Sequence, residues 1–367
     1  MSSSCGKRIR LSIFGQSHSA AVGAVIEGLP AGFRVDMERL DSFMKRRAPG
    51  GPLATPRREG DRIEFLSGIA GGRLCGSPLC LIIRNADARP GDYSEFRDVP
   101  RPGHADYTSS VKYGGFQDAS GGGHFSGRLT APLTAAGGVC LQILEARGIF
   151  VGAHLKSVGG VEDRAFDPAS VSRADFNARF FSPLTVLDAA AGARMAAAIE
   201  GARAAGDSLG GVVECAAVGL PAGLGEPIFG GLESGIASLV FGIPAVKGVE
   251  FGSGFAAAAM RGSEHNDPFV CEDGAVITAT NHAGGILGGI STGMPLIFRA
   301  AFKPTPSIAR AQRTLSLSAM QLTELNIKGR HDPCVAVRAV PAVEAAAAVA
   351  LCDALLPGNY EPLKGAE

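Results

Sequence analysis

The sequence predicts an α+β protein, in which antiparallel sheets pack against helices within one domain over residues 1–367. Helical and strand patterns alternate without the regular spacing of βαβ units. Hydrophobic residues make up 46% of the chain, enough for a large core, and no Pro- or Ser-rich linker divides it. The segment Gly-Leu-Pro-Ala-Gly occurs twice, at the ends of apolar runs at 22–32 and 211–223, and a helical pattern follows each copy. We therefore expect an internally duplicated strand–turn–helix unit, the alternative being two similar turns that arose by chance.

Strands are predicted where short apolar or alternating runs lie between turn residues. Outside the first copy of the repeat, such runs occur at 62–67, 79–84, 211–218, 276–280 and 296–301.

Helices are predicted from apolar periodicity and from their start and stop residues. An amphipathic helix at 128–146 ends at Arg147-Gly148, and a helix at 341–356 has Pro341 as its first residue. The remaining predicted helices are 36–47, 188–205 and 231–241. Two stretches, 86–126 and 303–332, are predicted to be long polar loops, which are usually functional in compact domains.

Composition excludes several classes of protein. The 35 basic and 35 acidic residues cancel, which argues against nonspecific binding of nucleic acid. The eight cysteines show neither a CxxC pair nor any zinc-ligand spacing, so we expect buried thiols and no metal site. No signal-peptide core and no apolar run of membrane-spanning length is present. We expect a cytoplasmic protein without a membrane partner.

Five of the seven histidines lie in short Gly-rich polar segments: His18, His104, His124, His282 and His331. Glycine lets backbone N–H groups approach a ligand, and histidine transfers protons near neutral pH. Four arginines that could bind phosphate or carboxylate groups lie at helix ends or in Gly-rich loops: Arg47, Arg101, Arg128 and Arg330. Together these segments predict one composite site for a large anionic ligand.

Other motifs leave alternatives open. Ser17-His18 lacks the GxSxG pattern of a hydrolase nucleophile, so Ser17 is either a ligand contact or a loop hydrogen-bond donor. The Gly-rich segment 284–293 fits neither GxGxxG nor a Walker loop, although its N–H groups could hold a phosphate or a flavin. The segment 303–307 offers a cation and hydroxyls for the same purpose. Asp332 could orient a base or simply pair with Arg330.

These segments, in their order along the chain, resemble the motifs of the chorismate synthase family. Phe14-Gly-Gln-Ser-His18 is similar to the first motif, usually Gly-Glu-Ser-His-Gly. The later motifs resemble residues 101–107, 121–130, 284–293, 303–307 and 329–341, so that the resemblance spans about residues 7–356. It implies a β-α-β sandwich, a homotetramer and reduced FMN as cofactor. The implied reaction is the anti-1,4-elimination of phosphate from 5-enolpyruvylshikimate-3-phosphate to give chorismate, the last step of the shikimate pathway.

The resemblance also implies roles for individual residues. His18 corresponds to the histidine beside the leaving phosphate, His104 to the one that protonates reduced flavin, and Asp332 to the aspartate that assists the flavin as base. Ser17 and Ser126 correspond to serines that support them. Flavin contacts are implied for His124, Phe125, Ser126, Pro244, Ala245, Gly288, Lys303, Pro304, Thr305, Pro306, Ser307 and Arg330. Substrate or nicotinamide contacts are implied for Arg47 and Arg101, and Arg128 is a further predicted substrate contact.

The chain departs from the family's motifs at several positions. Gln16 replaces a Glu, Leu129 replaces a Glu, and residues 119–120 and 124–125 differ from the usual pairs Tyr-Arg and Arg-Ser. Residues 52–53 lack an arginine tied to nicotinamide binding in bifunctional members, so we expect a monofunctional enzyme supplied by an external flavin reductase. Two alternatives are a flavin-binding paralogue without elimination activity and a noncatalytic oligomeric scaffold that binds no flavin.

Overall fold

The computed structural model describes residues 3–49, 53, 60–85, 95–177, 184–327 and 332–356. Within these ranges the strands are β1 (Ser4–Cys5), β2 (Arg10–Gly15), β3 (Ala21–Glu27), β4 (Ile63–Ser67), β5 (Ile69–Ala70), β6 (Arg73–Leu74), β7 (Leu79–Arg84), β8 (Phe150–Val158), β9 (Val161–Glu162), β10 (Gly211–Val218), β11 (Val246–Phe251), β12 (Phe269–Glu272), β13 (Ala275–Thr278), β14 (Ile286–Leu287), β15 (Ile290–Ser291), β16 (Leu296–Phe302), β17 (Gln312–Ser316) and β18 (Gln321–Leu325). The helices are α1 (Met37–Arg47), α2 (Asp106–Tyr113), α3 (Thr130–Glu145), α4 (Arg173–Asn177), α5 (Ala189–Ala204), α6 (Leu232–Phe241), α7 (Gly262–His265) and α8 (Ala336–Leu355).

Two five-stranded antiparallel sheets enclose a layer of helices. The strand order is β1-β2-β3-β7-β4 in the first sheet and β11-β16-β10-β8-β9 in the second. α3 packs on β3 and β7, α8 packs on β8 and β10, and the two helices pack on each other. α1 and α6 complete the layer beside them. The α+β class and the β-α-β sandwich expected from the sequence are therefore confirmed.

The two copies of the repeated segment occupy equivalent places. β3 and β10 are each the middle strand of a five-stranded sheet, and the turn after each leads into a helix of the central layer, α1 or α6. The first glycine of each turn has a positive φ, +87° at Gly28 and +80° at Gly219. A Cβ there would lie 2.1 Å from the carbonyl oxygen of Arg8 or 2.2 Å from that of Gly148. The same residue type thus meets the same backbone requirement in both copies.

The central helices approach one another closely because α3 carries glycine on its facing side. A Cβ at Gly137 would lie 2.3 Å from the Cβ of Ala345 in α8, and one at Gly138 would lie 2.5 Å from Leu40 Cδ1 in α1. α3 is buried on nearly all sides, between α8, α1 and the first sheet. A helix therefore lies close to the predicted range 128–146, but the prediction that it is amphipathic is wrong.

The predicted strands all exist, with bounds that differ by no more than two residues, and the helices at 36–47, 188–205 and 231–241 begin or end within one residue of the prediction. α8, however, begins at Ala336, so Pro341 lies inside the helix rather than at its first position. The stretch 303–332 contains the hairpin β17–β18, and 86–126 contains α2, so neither is a continuous loop. All eight cysteines are free thiols, but Cys75 and Cys271 are exposed and Cys5 and Cys80 are only partly buried, so the expectation of buried thiols is wrong for these four. None of the helices in the described ranges has the length and apolar character needed to cross a bilayer.

Candidate active site

A cavity of about 640 Å³ lies where loops from both halves of the sandwich meet. The first half contributes the β2–β3 loop, the end of α1 and the segments around 101–105 and 121–130. The second half contributes 241–247, 302–307 and the start of α8. The volume is within the range of pockets that hold cofactors and substrates.

Sixteen of the nineteen residues predicted for the site line this cavity: Ser17, His18, Arg47, Arg101, His104, His124, Phe125, Ser126, Arg128, Pro244, Ala245, Lys303, Thr305, Pro306, Ser307 and Asp332. Pro304 and Gly288 do not line it. Arg330, like His331, lies outside the described residues.

Two glycines allow one loop to lie against both predicted catalytic histidines. A Cβ at Gly121, whose φ is +70°, would lie 2.4 Å from His18 Cε1 and 2.7 Å from Ser17 Oγ. A Cβ at Gly122 would lie 3.3 Å from Cε1 and Nε2 of His104. The Gly-rich sequence therefore allows one loop to lie close to both His18 and His104.

Ser17 determines how His18 is held. The buried Ser17 hydroxyl donates to the carbonyl oxygen of Ser120 at 3.0 Å and lies 2.9 Å from His18 Nδ1. A hydroxyl has one proton to donate, so its contact with the ring must be one in which Nδ1 donates. Ser17 is thus a hydrogen-bonding partner of His18, as the absence of a GxSxG motif indicated, and not an activated nucleophile.

His104 belongs to a second cluster, with Arg101 and Asp106. Asp106 Oδ1 lies 2.8 Å from His104 Nδ1, and both carboxylate oxygens accept hydrogen bonds from the Arg101 guanidinium. Burial alone would raise the pKa of Asp106, but Arg101 and His104 outweigh it and hold that pKa well below its usual range. The Arg101 guanidinium also stacks on Phe96, 4.4 Å from the ring centroid.

A buried carboxylate joins the other two predicted substrate arginines. One oxygen of Asp61 accepts a hydrogen bond from Arg47 Nη1 and the other accepts one from Arg128 Nη1. Thr130 Oγ1 accepts from Arg47 Nε at 3.1 Å, and Asn85 Oδ1 accepts from Arg128 Nε at 2.9 Å. The two guanidiniums are therefore fixed before any ligand binds.

Burial and neighbouring charges shift the pKa values of both Arg47 and Asp61. The pKa of Arg47 is lowered to about 10, mainly by burial and further by the positive charges of Arg338 and Arg128, against the opposing effect of Asp61. Burial acts to raise the pKa of Asp61, but Arg47 and Arg128 bring it below its ordinary value. Asp61 adopts φ of +44°, a conformation in which a non-glycine residue is uncommon.

Asp332 is held by Arg338 of α8. Arg338 Nη1 donates to Asp332 Oδ2 at 2.7 Å, and its Nε donates to the carbonyl oxygen of Arg47 at 3.0 Å. One side chain therefore fixes the predicted base relative to the end of α1.

The second half of the cavity carries lysines and hydroxyls. Burial lowers the pKa of Lys303, and the positive charge of Lys247 lowers it further. Among the described residues none provides a hydrogen-bond partner for the buried Oγ1 of Thr305. Ala245, whose carbonyl oxygen accepts from the Lys303 N–H at 2.9 Å, has a φ of +75°. Two neighbouring ammonium groups and a buried, unsatisfied hydroxyl fit the phosphate of a flavin nucleotide.

The departures from the family's motifs largely fall outside the cavity. Gln16 is exposed and Leu129 is buried in the core, and neither lines the cavity. His124 and Phe125 do line it. The ring of His124 bonds to Ser3 Oγ at 2.9 Å and to the carbonyl oxygen of Gly15 at 2.8 Å, so it also fastens the loop to the edge of the first sheet.

The Gly-rich segment 284–293 does not reach this cavity, so the structure of the single chain does not support its predicted place in the composite site. It forms the small hairpin β14–β15, and Gly288 lies in its exposed turn. Its glycines permit close backbone contacts instead: a Cβ at Gly284 would lie 2.4 Å from the Gly252 nitrogen. His282 likewise lies apart and stacks on His265, with ring centroids 5.9 Å apart.

Four residues of the site were missed in the sequence analysis: Asp61, Asp106, Lys247 and Arg338. Asp106 and Arg338 lie inside the segments 101–107 and 329–341, so their motifs offered a signal. Asp61 and Lys247 lie in no motif that we identified, and only the tertiary structure brings Asp61 to Arg128, 67 positions along the chain.

Known proteins with similar sequences and structures give a consistent result. A sequence model of the family described as chorismate synthase matches residues 9–356. A chorismate synthase of Korarchaeum cryptofilum is 48% identical over 352 residues, which cover 96% of each chain. One of Aeropyrum pernix is 49% identical over 353 residues, covering 96% of this chain and 92% of its own. A crystal structure of chorismate synthase matches with a TM-score of 0.75 at 28% identity and covers 96% of this chain and 92% of the other.

Proposed function

The chain belongs to the chorismate synthase family, and on that premise we propose that it eliminates phosphate from 5-enolpyruvylshikimate-3-phosphate to give chorismate, with reduced FMN as its cofactor. The observation that carries the proposal is the meeting, in one cavity, of two held histidines with arginines and lysines from both halves of the chain. The substrate carries one phosphate and two carboxylates, and such groups are what fixed guanidinium and ammonium groups bind.

The arginine side of the cavity is suited to the substrate. Here Arg47 and Arg128 bind Asp61, and Arg338 binds Asp332, so three guanidinium groups meet on this side of the cavity. Because Asp61 and its neighbours already fix the guanidiniums, binding a substrate anion there requires little reorganisation.

The histidines handle protons. His18, held through Nδ1 by Ser17, is proposed to protonate the departing phosphate, which leaves more readily as its charge is reduced. His104 is proposed to supply a proton to reduced flavin. Asp332 is proposed to assist the flavin as base, and Arg338 keeps the Asp332 carboxylate in place. Ser126, whose Oγ caps the turn by accepting from the Arg128 N–H at 3.2 Å, supports the loop that carries these contacts.

The residues that would hold the cofactor are Lys247, Lys303, Ala245, the segment 305–307 and the loop of Ser126, with Arg330 as a predicted further contact. When bound, reduced FMN supplies electron density to the substrate in a reaction that has no net redox change. Lys303 donates to the carbonyl oxygen of Gly103, which ties the lysine segment to the histidine loop, so ordering one side of the cavity constrains the other.

We extend the proposal to assembly, location and electron supply. Large apolar side chains stand exposed at Phe116, Phe229, Phe255 and Leu322, and such exposure is typical of association surfaces, in keeping with a homotetramer. The cytoplasm is the proposed location. Leu53 is uncharged and lies buried in the core, so this position offers no cation to a nicotinamide phosphate, in keeping with a monofunctional enzyme that receives reduced flavin from an external reductase.

The test is anaerobic turnover with photoreduced FMN and 5-enolpyruvylshikimate-3-phosphate, following phosphate and chorismate. We expect both products in equal amounts, and no products with oxidised FMN. Flavin binding without phosphate release would instead identify the paralogue without elimination activity, and absence of flavin binding would identify a scaffold. Steady aerobic turnover with NADPH, FMN and reductase-free protein would show the electron-supply proposal to be wrong.

A further inference from the structure

Asp106 is placed to control His104. It is the first residue of α2, two positions after His104, and its side chain is about one-tenth exposed. Its Oδ2 accepts from the backbone N–H of Arg101 at 3.0 Å and from Arg101 Nε at 2.8 Å. Its Oδ1 accepts from Arg101 Nη2 at 2.7 Å and lies 2.8 Å from His104 Nδ1.

The number of protons in this cluster fixes which nitrogen of His104 carries hydrogen. Arg101 Nη2 has two protons and three acceptors within reach: Asp106 Oδ1 at 2.7 Å, the carbonyl oxygen of Gly121 at 2.8 Å and His104 Nδ1 at 3.2 Å. The two oxygens are nearer and take both protons. Nδ1 is then left to donate its own hydrogen to Asp106 Oδ1.

We propose that Asp106 is a positioning residue that fixes His104 as the Nδ1–H tautomer and presents Nε2 to the cavity as the atom that exchanges protons. Within the described part of the chain Nε2 has no hydrogen-bond partner, and the missing side chain of Gly122 leaves space beside it. This inference rests on the proposed function only for the identity of the group with which His104 exchanges its proton.

The same geometry assigns Arg101 a role different from the predicted substrate contact. Three of its nitrogens donate to Asp106, and its guanidinium stacks on Phe96. Arg101 therefore holds Asp106 in place and keeps it ionised, and through Gly121 it also holds the loop that separates the two histidines.

An Asp–His pair of this kind makes a known contribution to turnover in other enzymes. In the Ser-His-Asp triad, exchange of the aspartate for asparagine leaves the geometry intact, inverts the histidine tautomer and lowers turnover about 10⁴-fold. In Asp106→Asn, the single amide oxygen is expected to face the Arg101 donors, so the NH₂ group would donate to His104 Nδ1. The ring would then carry its hydrogen on Nε2.

The experiment is ¹⁵N NMR of histidine-labelled protein at a pH where the imidazole is neutral, with the His104 signals assigned by their loss in His104→Gln. We expect hydrogen on Nδ1 in the wild-type protein and on Nε2 in Asp106→Asn, with phosphate release reduced about 10²–10⁴-fold and KM for the substrate changed less than about threefold. The matched control is Asp98→Asn: Asp98 also accepts from a backbone N–H and a hydroxyl, at 2.7 and 2.8 Å, but does not line the cavity. It should leave tautomer and turnover unchanged.

Each outcome bears on the inference separately from the proposed function. Hydrogen on Nε2 in the wild-type protein overturns it without any variant, so it stays testable even if Asp106→Asn does not fold. An unchanged tautomer in a folded Asp106→Asn overturns it as well. A tautomer that switches in a protein with no elimination activity supports the positioning role and contradicts the proposed function.

Discussion

Gly121→Ala should disable the site through one methyl group. The new Cβ would lie 2.4 Å from His18 Cε1, 2.5 Å from its Nδ1 and 2.7 Å from Ser17 Oγ. Ordinary contact begins near 3.4 Å, so His18 must retreat by about 1 Å, the difference between these two distances. A displacement of about 1 Å at a reacting group costs about 10²-fold in rate. The positive φ of residue 121 adds about 1–2 kcal/mol of backbone strain, which lowers the free energy of unfolding.

Gly115→Ala separates the two effects. Gly115 has φ of +82°, close to that of Gly121, but a Cβ there meets no atom within 4 Å. Both variants should lose similar stability in urea unfolding, whereas only Gly121→Ala should lose about 10²-fold in phosphate release under anaerobic conditions. If Gly121→Ala keeps turnover within threefold of Gly115→Ala, the contact between this loop and His18 does not matter for the reaction.

Three further perturbations test other parts of the site. Asp61→Asn should lower the free energy of unfolding by about 3–5 kcal/mol, because it leaves buried arginine charges without their partner. It should also raise the substrate KM about tenfold in steady-state kinetics, because the arginines are held less firmly. An unchanged KM would contradict the preorganisation of these arginines. Lys247→Ala should weaken FMN binding about tenfold in a fluorescence titration, because one charge-assisted contact is lost. Lys156→Ala serves as control, since Lys156 pairs with Glu162 away from the cavity. Folding lowers the pKa values of Asp61 and Asp106, so their contribution to stability is complete above about pH 4 and is lost as the pH falls through the folded-state values. Urea unfolding from pH 6 to 3 should therefore show a smaller loss of stability in Asp106→Asn than in the wild-type protein.

The sequence was most informative where local pattern decides structure. β7 and β10 were predicted to the residue, because short apolar runs between turn residues have few alternatives. α3 was misjudged because its Ala and Gly residues suit both an exposed and a buried helix, and its packing against three elements decides the matter. Pro341 was taken as a helix start because proline is favoured at the first helical position and an Ala-rich run follows it, whereas the helix begins five residues earlier, at Ala336.

The sequence motifs predicted the histidines and arginines that line the cavity, but not the acidic residue that holds Arg47 and Arg128. His18, His104 and Arg128 lie in Gly-rich segments that the sequence singles out, and the fold brings them to one cavity. Asp61 could not be found, since its partners are 14 and 67 positions away and its own surroundings carry no pattern. The Gly-rich segment at 284–293 lies away from this cavity in the single chain, and Gly284, Gly285 and Gly289 permit close backbone packing there, which in a sequence looks the same as a ligand loop.

The most direct test of the central claim, that this cavity carries out the elimination, is anaerobic phosphate release by His18→Ala and His104→Ala beside the wild-type protein, with photoreduced FMN. Both histidines lie in loops at the cavity wall, so the variants should fold and still bind flavin. The account predicts that each loses about 10²–10⁴-fold in turnover, the usual worth of a positioned acid. Two folded, flavin-binding variants with near wild-type phosphate release would place the chemistry elsewhere and contradict the account.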